Sequence, residues 1–145
     1  MTDVAVNIKL FDPSLPLPEY HTHGAAGFDL YTRLDVTIEP HTVTRVPTNV
    51  ALALPPDYWL LTAARSSLHK KGLQLINGLG VIDSDYCGDD DEIQLLLYNF
   101  SPSTVSLTRG ERLAQGILIP LHRATFTISD QLCPTSRGGF GSTGS

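Results

Sequence analysis

Along the chain, apolar residues recur in short runs bounded by proline, glycine, aspartate and serine, and the 3.6-residue period of an amphipathic helix is weak almost throughout. Runs rich in Val, Ile, Thr, Leu and Tyr predict strands over 5–11, 27–32, 34–39, 42–48, 50–54, 58–64, 73–77, 80–83, 92–100, 104–108, 114–121 and 124–128. Turns are expected at 12–18, 54–57, 101–103 and 109–112, where Pro fixes φ and Gly, Asp and Ser tolerate turn geometry. Many short strands at this spacing point to an all-β sandwich, jelly roll or small barrel rather than to a parallel α/β sheet. One short helix is expected in SSLHKKG (66–72): a serine can cap it, Lys70 and Lys71 suit its C-terminal end, and Gly72 can stop it.

At 145 residues the chain has the length of one domain. We expect a β domain over 1–136 and a flexible arm over 137–145. The balance of 10 Lys and Arg against 15 Asp and Glu, net −5, disfavours wholesale binding to a nucleic-acid backbone. A small anion held by a few placed donors stays open. The start, MTDVAVNIKLF, lacks a basic stretch leading into an apolar one, and no run approaches the roughly 18 apolar residues of a membrane span. The expectation is a soluble protein of the cytoplasm, or of a host cell interior if viral, with neither nucleic acid nor membrane as partner. Cys87 and Cys133 stand in no metal-binding spacing and read as reduced thiols. His21 and His23 read as an exposed loop or as a metal pair lacking its third ligand.

Four stretches carry candidate chemistry. In ARSSLHKKG (64–72), a guanidinium, two hydroxyls and free backbone N–H groups suit phosphate oxygens if Ser66 and Ser67 open a helix, but a solvated turn explains the same residues. In NGLGVIDSDYCGD (77–89), extended chain would point Asp83 and Asp85 the same way and Tyr86 the other, so that a carboxylate holds water while a ring lies against a sugar or base. The plainer reading is an Asn-Gly hairpin turn followed by a second turn. Gln115 enters an otherwise apolar run and must tie down a loop or reach a ligand. The end, RGGFGSTGS (137–145), sets a guanidinium, hydroxyls and a ring on a glycine-rich backbone that a flat anionic ligand could order.

In order along the chain, AAGFDLYT (25–32), ARSSLHKKGL (64–73), NGLGVIDSDYCG (77–88), RGERLAQGIL (109–118) and RGGFGSTG (137–144) closely resemble the five motifs of the trimeric dUTPases. The resemblance implies a distorted jelly roll with one short helix, a homotrimer with an exchanged C-terminal arm and shared active sites, and Mg2+-dependent hydrolysis of dUTP to dUMP and pyrophosphate. It implies that Asp83 orients the attacking water, and that Tyr86 lies under deoxyribose where it excludes a 2′-hydroxyl. Asn77 and the backbone through Gly80, Val81 and Ile82 would read uracil. Arg65, Ser66, Ser67 and Gln115 would hold phosphates, and Asp29 would touch, through water, an Mg2+ carried by the triphosphate. From the arm, Phe140 would cover uracil, while Arg137, Gly141, Ser142 and Thr143 would close on the outer phosphates.

Two departures stand out. Ala64 replaces the proline many members carry before Arg-Ser, and the acidic DDD at 89–91 reads as a short insertion, either a solvated hairpin extension or a patch for a protein partner. Two alternatives remain beside the diphosphatase: the dCTP deaminase branch of the same fold, and a regulatory protein acting through protein–protein binding.

Overall fold

The computed structural model describes residues 3–136 and 138–139. Its strands are β1 (Asn7–Leu10), β2 (Phe28–Tyr31), β3 (Val36–Ile38), β4 (Val43–Pro47), β5 (Val50–Ala53), β6 (Tyr58–Ala64), β7 (Leu73–Leu75), β8 (Leu79–Ile82), β9 (Gln94–Asn99), β10 (Val105–Leu107) and β11 (Arg112–Pro120). Every expected run except the last forms a strand. All pairings are antiparallel: a four-stranded sheet β2-β11-β6-β8, a three-stranded sheet β4-β9-β7, and the pairs β1-β5 and β3-β10. The result is the all-β architecture that the patterning implied, of the jelly-roll type that the resemblance implied.

Alternation is clearest in β9, where Leu95, Leu97 and Asn99 are buried and Gln94, Leu96 and Tyr98 lie at intermediate depth. Leu95 and Leu97 join Val46, Leu73 and Leu75 in one core cluster, while Leu30, Val50, Leu52 and Leu60 centre a second. Leu97 is fully buried, so truncation to alanine would cost about 2–5 kcal/mol in lost transfer energy and cavity formation. Asn99 closes the strand's far end without leaving a polar group unpaired. Its Nδ2 donates to the carbonyls of Ile38 at 3.0 Å and Ser103 at 2.8 Å, and its Oδ1 accepts from Ser101, which shapes the turn at 101–103.

Three expectations need correction. Residues 124–128 form no strand: Phe126 and Ile128 are 92% and 98% exposed, and apolar alternation makes a strand only where a neighbouring edge supplies hydrogen bonds. The short helix is a single 3-10 turn, Leu68–Lys71, which Gly72 stops at φ 75° as expected, but the N-cap Ser67 makes no side-chain capping bond. The Asn77-Gly78 turn does not close a hairpin between its flanking strands, because β7 pairs with β9 and β8 pairs with β6. It carries the chain from one sheet to the other.

Of the acidic insertion 89–91 the tip is solvated, as one of its two readings expected, whereas the Glu92 that follows it is not. Asp89 and Asp90 are exposed, and Asp91 folds back to accept the Gly88 N–H at 2.7 Å. Glu92 instead is buried, accepting two bonds from Arg33, at 2.8 and 2.9 Å, and one from the Asn49 N–H at 2.8 Å. A buried carboxylate needs such a full set of donors to offset its desolvation.

Candidate active site

A single irregularity brings four of the motif residues onto one face of the four-stranded sheet. Between Arg112 and Ala114 the register of β11 against β2 slips by one residue, Leu113 being the extra one. Arg112 and Gln115 are an odd number of positions apart and would face opposite sides of a regular strand. With the bulge, Arg112 stands opposite Tyr31 and Gln115 opposite Asp29, so both share the face of Asp29. Gln115 also pairs with Ala63, and Arg65 lies two residues further along the same side. The Arg65 N–H continues the ladder by donating to the Leu113 carbonyl at 3.1 Å.

Asp29 is the centre of this group and is 6% exposed. Its Oδ1 lies 3.3 Å from Arg65 Nε, and its Oδ2 lies 3.1 Å from Arg112 Nη1 and 2.9 Å from His21 Nε2. Beside it, burial pushes the Tyr31 phenol above its ordinary range, with the charges of Glu19 and Asp29 adding to the effect. Tyr31 thus stays protonated at neutral pH. Gln115 is half-buried, and its amide is confined by Gly27: a Cβ there would sit 3.0 Å from Gln115 Oε1 and 3.1 Å from the Gly116 carbonyl. Glycine at 27 therefore leaves room for the amide that a side chain would displace.

Next to this group, Ser66 and Ser67 are exposed on the turn after β6, and their N–H groups have no backbone partner among the described residues. Arg65 and Ser66 line a shallow depression together with His69, Gln74 and Gly78. The second and third motifs thus meet at the Asn77-Gly78 end. A four-residue 3-10 turn supplies little dipole, so anion binding here rests on the hydroxyls, the free N–H groups and Arg65.

Asp83 does not join them. It follows Ile82, which pairs with Leu60, whereas the Asp29 level of the sheet corresponds to Ala63. Four residues along the strands and three strands across put the two carboxylates roughly 15–20 Å apart in one chain. Asp83 is exposed and takes part in no ion pair among the described residues. The chain turns immediately after it, Tyr86 N–H donating to the Asp83 carbonyl at 3.2 Å, so the expected alternation of Asp83, Asp85 and Tyr86 on extended chain does not hold. The Tyr86 hydroxyl donates to the Glu92 carbonyl at 3.2 Å, which ties the 40%-exposed ring to the residue whose buried carboxylate holds Arg33. Arg137, Phe140, Gly141, Ser142 and Thr143 lie outside the described residues.

Sequence reasoning missed Arg112 and His21. Arg112 fell at the end of the expected turn 109–112, and its contact with Asp29 depends on the bulge. His21 reaches a residue 91 positions away, Arg112, and belongs to no metal pair: among the described residues no group of three or more His, Cys, Asp or Glu is arranged to hold a metal ion. Cys87 and Cys133 are exposed and unpaired with each other.

A family model described as dUTPase matches residues 14–144. The deoxyuridine 5′-triphosphate nucleotidohydrolase of Thermobifida fusca is 43% identical over 145 residues, which is 97% of this chain and 79% of that protein. A crystal structure of a dUTPase from Streptococcus mutans superposes with a TM-score of 0.75 at 33% identity, covering 82% of this chain and 98% of the other. A dUTPase from phage phi11 of S. aureus, whose structure concerns coordination of a structural Mg(II) ion, has a TM-score of 0.79 at 20% identity, over 89% of this chain and 99% of that one, and shares the fold.

Proposed function

The chain belongs to the dUTPase family and is a dUTP diphosphatase, and from that premise we propose how its residues divide the reaction. Asp83 accepts a hydrogen bond from a water placed in line with the α-phosphorus and takes its proton as the water oxygen bonds to phosphorus. The bond from that phosphorus to the bridging oxygen breaks, and pyrophosphate leaves with the electron pair. Such a reaction needs positioning and charge neutralisation more than covalent help. Arg65, the hydroxyls of Ser66 and Ser67, and Gln115 bind the phosphates. Arg65 holds Asp29 by one 3.3 Å contact and can exchange it for a phosphate oxygen. Asn77 and the backbone of Gly80, Val81 and Ile82 read uracil, while Tyr86 packs under deoxyribose. The arm brings Phe140 over the base and Arg137, Gly141, Ser142 and Thr143 onto the outer phosphates.

The chemistry of the donor set fits Mg2+. A lone buried carboxylate among cationic side chains makes no all-protein cage, but it suits a hard cation carried by the triphosphate and reached through water. Asp29 would hold that water, and the ion would neutralise charge on the phosphates. The observation that carries the assembly is the separation of Asp83 from Asp29: with the two on opposite edges of one sheet, a single triphosphate meets both only if another copy supplies one of them. This supports sites shared between copies, as in a homotrimer; the place of action we propose is the cytoplasm, or the host cell interior if the protein is viral.

The test is pyrophosphate release with Mg2+ from dUTP beside dTTP, dCTP and UTP, with ammonia followed in the dCTP reaction. Release from dUTP alone supports the roles given to Asn77 and Tyr86. Ammonia from dCTP would move the chain to the deaminase branch, and no product from any nucleotide would leave a regulatory binding role.

A further inference from the structure

We infer that His21 is a positioning residue for the triphosphate side of the site, holding Arg112 against Asp29 so that Arg65 alone is free to move to phosphate. The inference rests on the reading that Asp29 serves the triphosphate. His21 Nε2 lies 2.7 Å from Arg112 Nη1, which also lies 3.1 Å from Asp29 Oδ2. A guanidinium Nη carries two hydrogens, one for each of these neighbours in the tautomer that leaves Nε2 bare. Nε2 also lies 2.9 Å from Asp29 Oδ2, and Nδ1 faces Glu19 Oε1 at 3.4 Å, so the imidazole touches both members of the Arg112–Asp29 pair.

The two arginines are thereby distinguished. Arg112 has Nη1 committed on both sides, whereas Arg65 holds Asp29 through Nε alone and keeps its remaining donors for a ligand, apart from one long 3.4 Å contact from Nη1 to the Arg112 carbonyl. Without the imidazole, Arg112, whose side chain is 40% exposed, would exchange that partner for water and restrain Asp29 less. The loss should fall on ligands that reach the outer phosphates and spare those that do not. Because His21 sits on an exposed turn before β2, its replacement removes little packing.

The experiment measures, by calorimetry with Mg2+, the dissociation constants of an α,β-imido analogue of dUTP and of dUMP for the parent, His21→Ala, His21→Gln and Asp29→Asn. For His21→Ala the imido analogue should bind about five- to tenfold more weakly, the worth of one ordinary hydrogen bond at a partly exposed site, while dUMP stays within about twofold. His21→Gln offers Arg112 a side-chain oxygen and should recover most of the loss. Parent-like analogue binding by His21→Ala, equal weakening of both ligands, or no recovery with glutamine would each overturn the inference. Asp29→Asn separates the premise: if it binds the analogue normally, the reading of Asp29 fails, whereas weakened binding by Asp29→Asn beside normal binding by His21→Ala removes only the role of His21.

Discussion

Asp29 lies within a strand with both carboxylate oxygens engaged by cationic or imidazole partners, whereas Asp83 follows the last residue of an edge strand and leaves its carboxylate in solvent. The difference matches two kinds of work. A carboxylate with donors on both oxygens fixes the side chains around it and is a poor acceptor for the proton of a reacting water, although Oδ1 keeps room for a water carried by an ion. One without an ion-pair partner among the described residues can take up a water and later its proton. The fold builds the first from a bulge and three strands, and the second from a single turn.

The sharpest way to break this contrast is Asp83→Asn. Turnover of dUTP should fall by about 10²–10⁴-fold while the imido analogue still binds, the range for losing a general base. Near-normal turnover would take Asp83 out of the reaction. Removing residues 137–145 should come next, lowering turnover by about 10²-fold through misplaced phosphates while the proposed homotrimer keeps its mass by light scattering. A fully active truncation would show that the arm does not close on substrate.

Stability offers a third comparison. Asp29→Ala leaves two arginines without their shared anion and should destabilise the fold by about 1–3 kcal/mol in denaturant titration, while Asp83→Ala should stay within about 0.5 kcal/mol. Equal effects would erase the distinction between a built-in and a free carboxylate.

The smallest effect concerns a carboxylate far from the chemistry. Hydrogen bonds from Ser14 and Arg109 hold Asp12 down to about 2 from an ordinary 3.8. Its folded pKa is depressed, so its contribution to stability is present above about 4 and is lost as pH falls towards 2. Any melting-temperature advantage of the parent over Asp12→Asn should shrink across that window, and an advantage independent of pH would contradict the assignment.

Most strands were legible because each buries one face, which writes a two-residue period into its sequence; 58–64 forms β6 to the residue. The run at 124–128 has the same composition and fails in one chain, since a strand also needs an edge to pair with, and that lies outside its own sequence. The site was legible as motifs but not as geometry. Nothing around Arg112 announces the bulge that turns it towards Asp29, and nothing in HTH says that one histidine will meet an arginine from the far end of the chain. The turn after Asp83 was hidden for a related reason. Serine and aspartate suit both extended chain and turns, and the backbone bond from Tyr86 decides between them.

The central claim is that Asp83 of one copy works with the Asp29–Arg65 side of another. It is tested most directly by unfolding Asp83→Asn and Arg65→Ala proteins together, refolding them, and measuring pyrophosphate release from dUTP. Random assortment should restore about a quarter of the parent activity, because each shared site then has one chance in about four of drawing its Asp83 and its Arg65 from the chains that retain them. A mixture as inactive as its separate components would place the whole site within one chain and contradict the account.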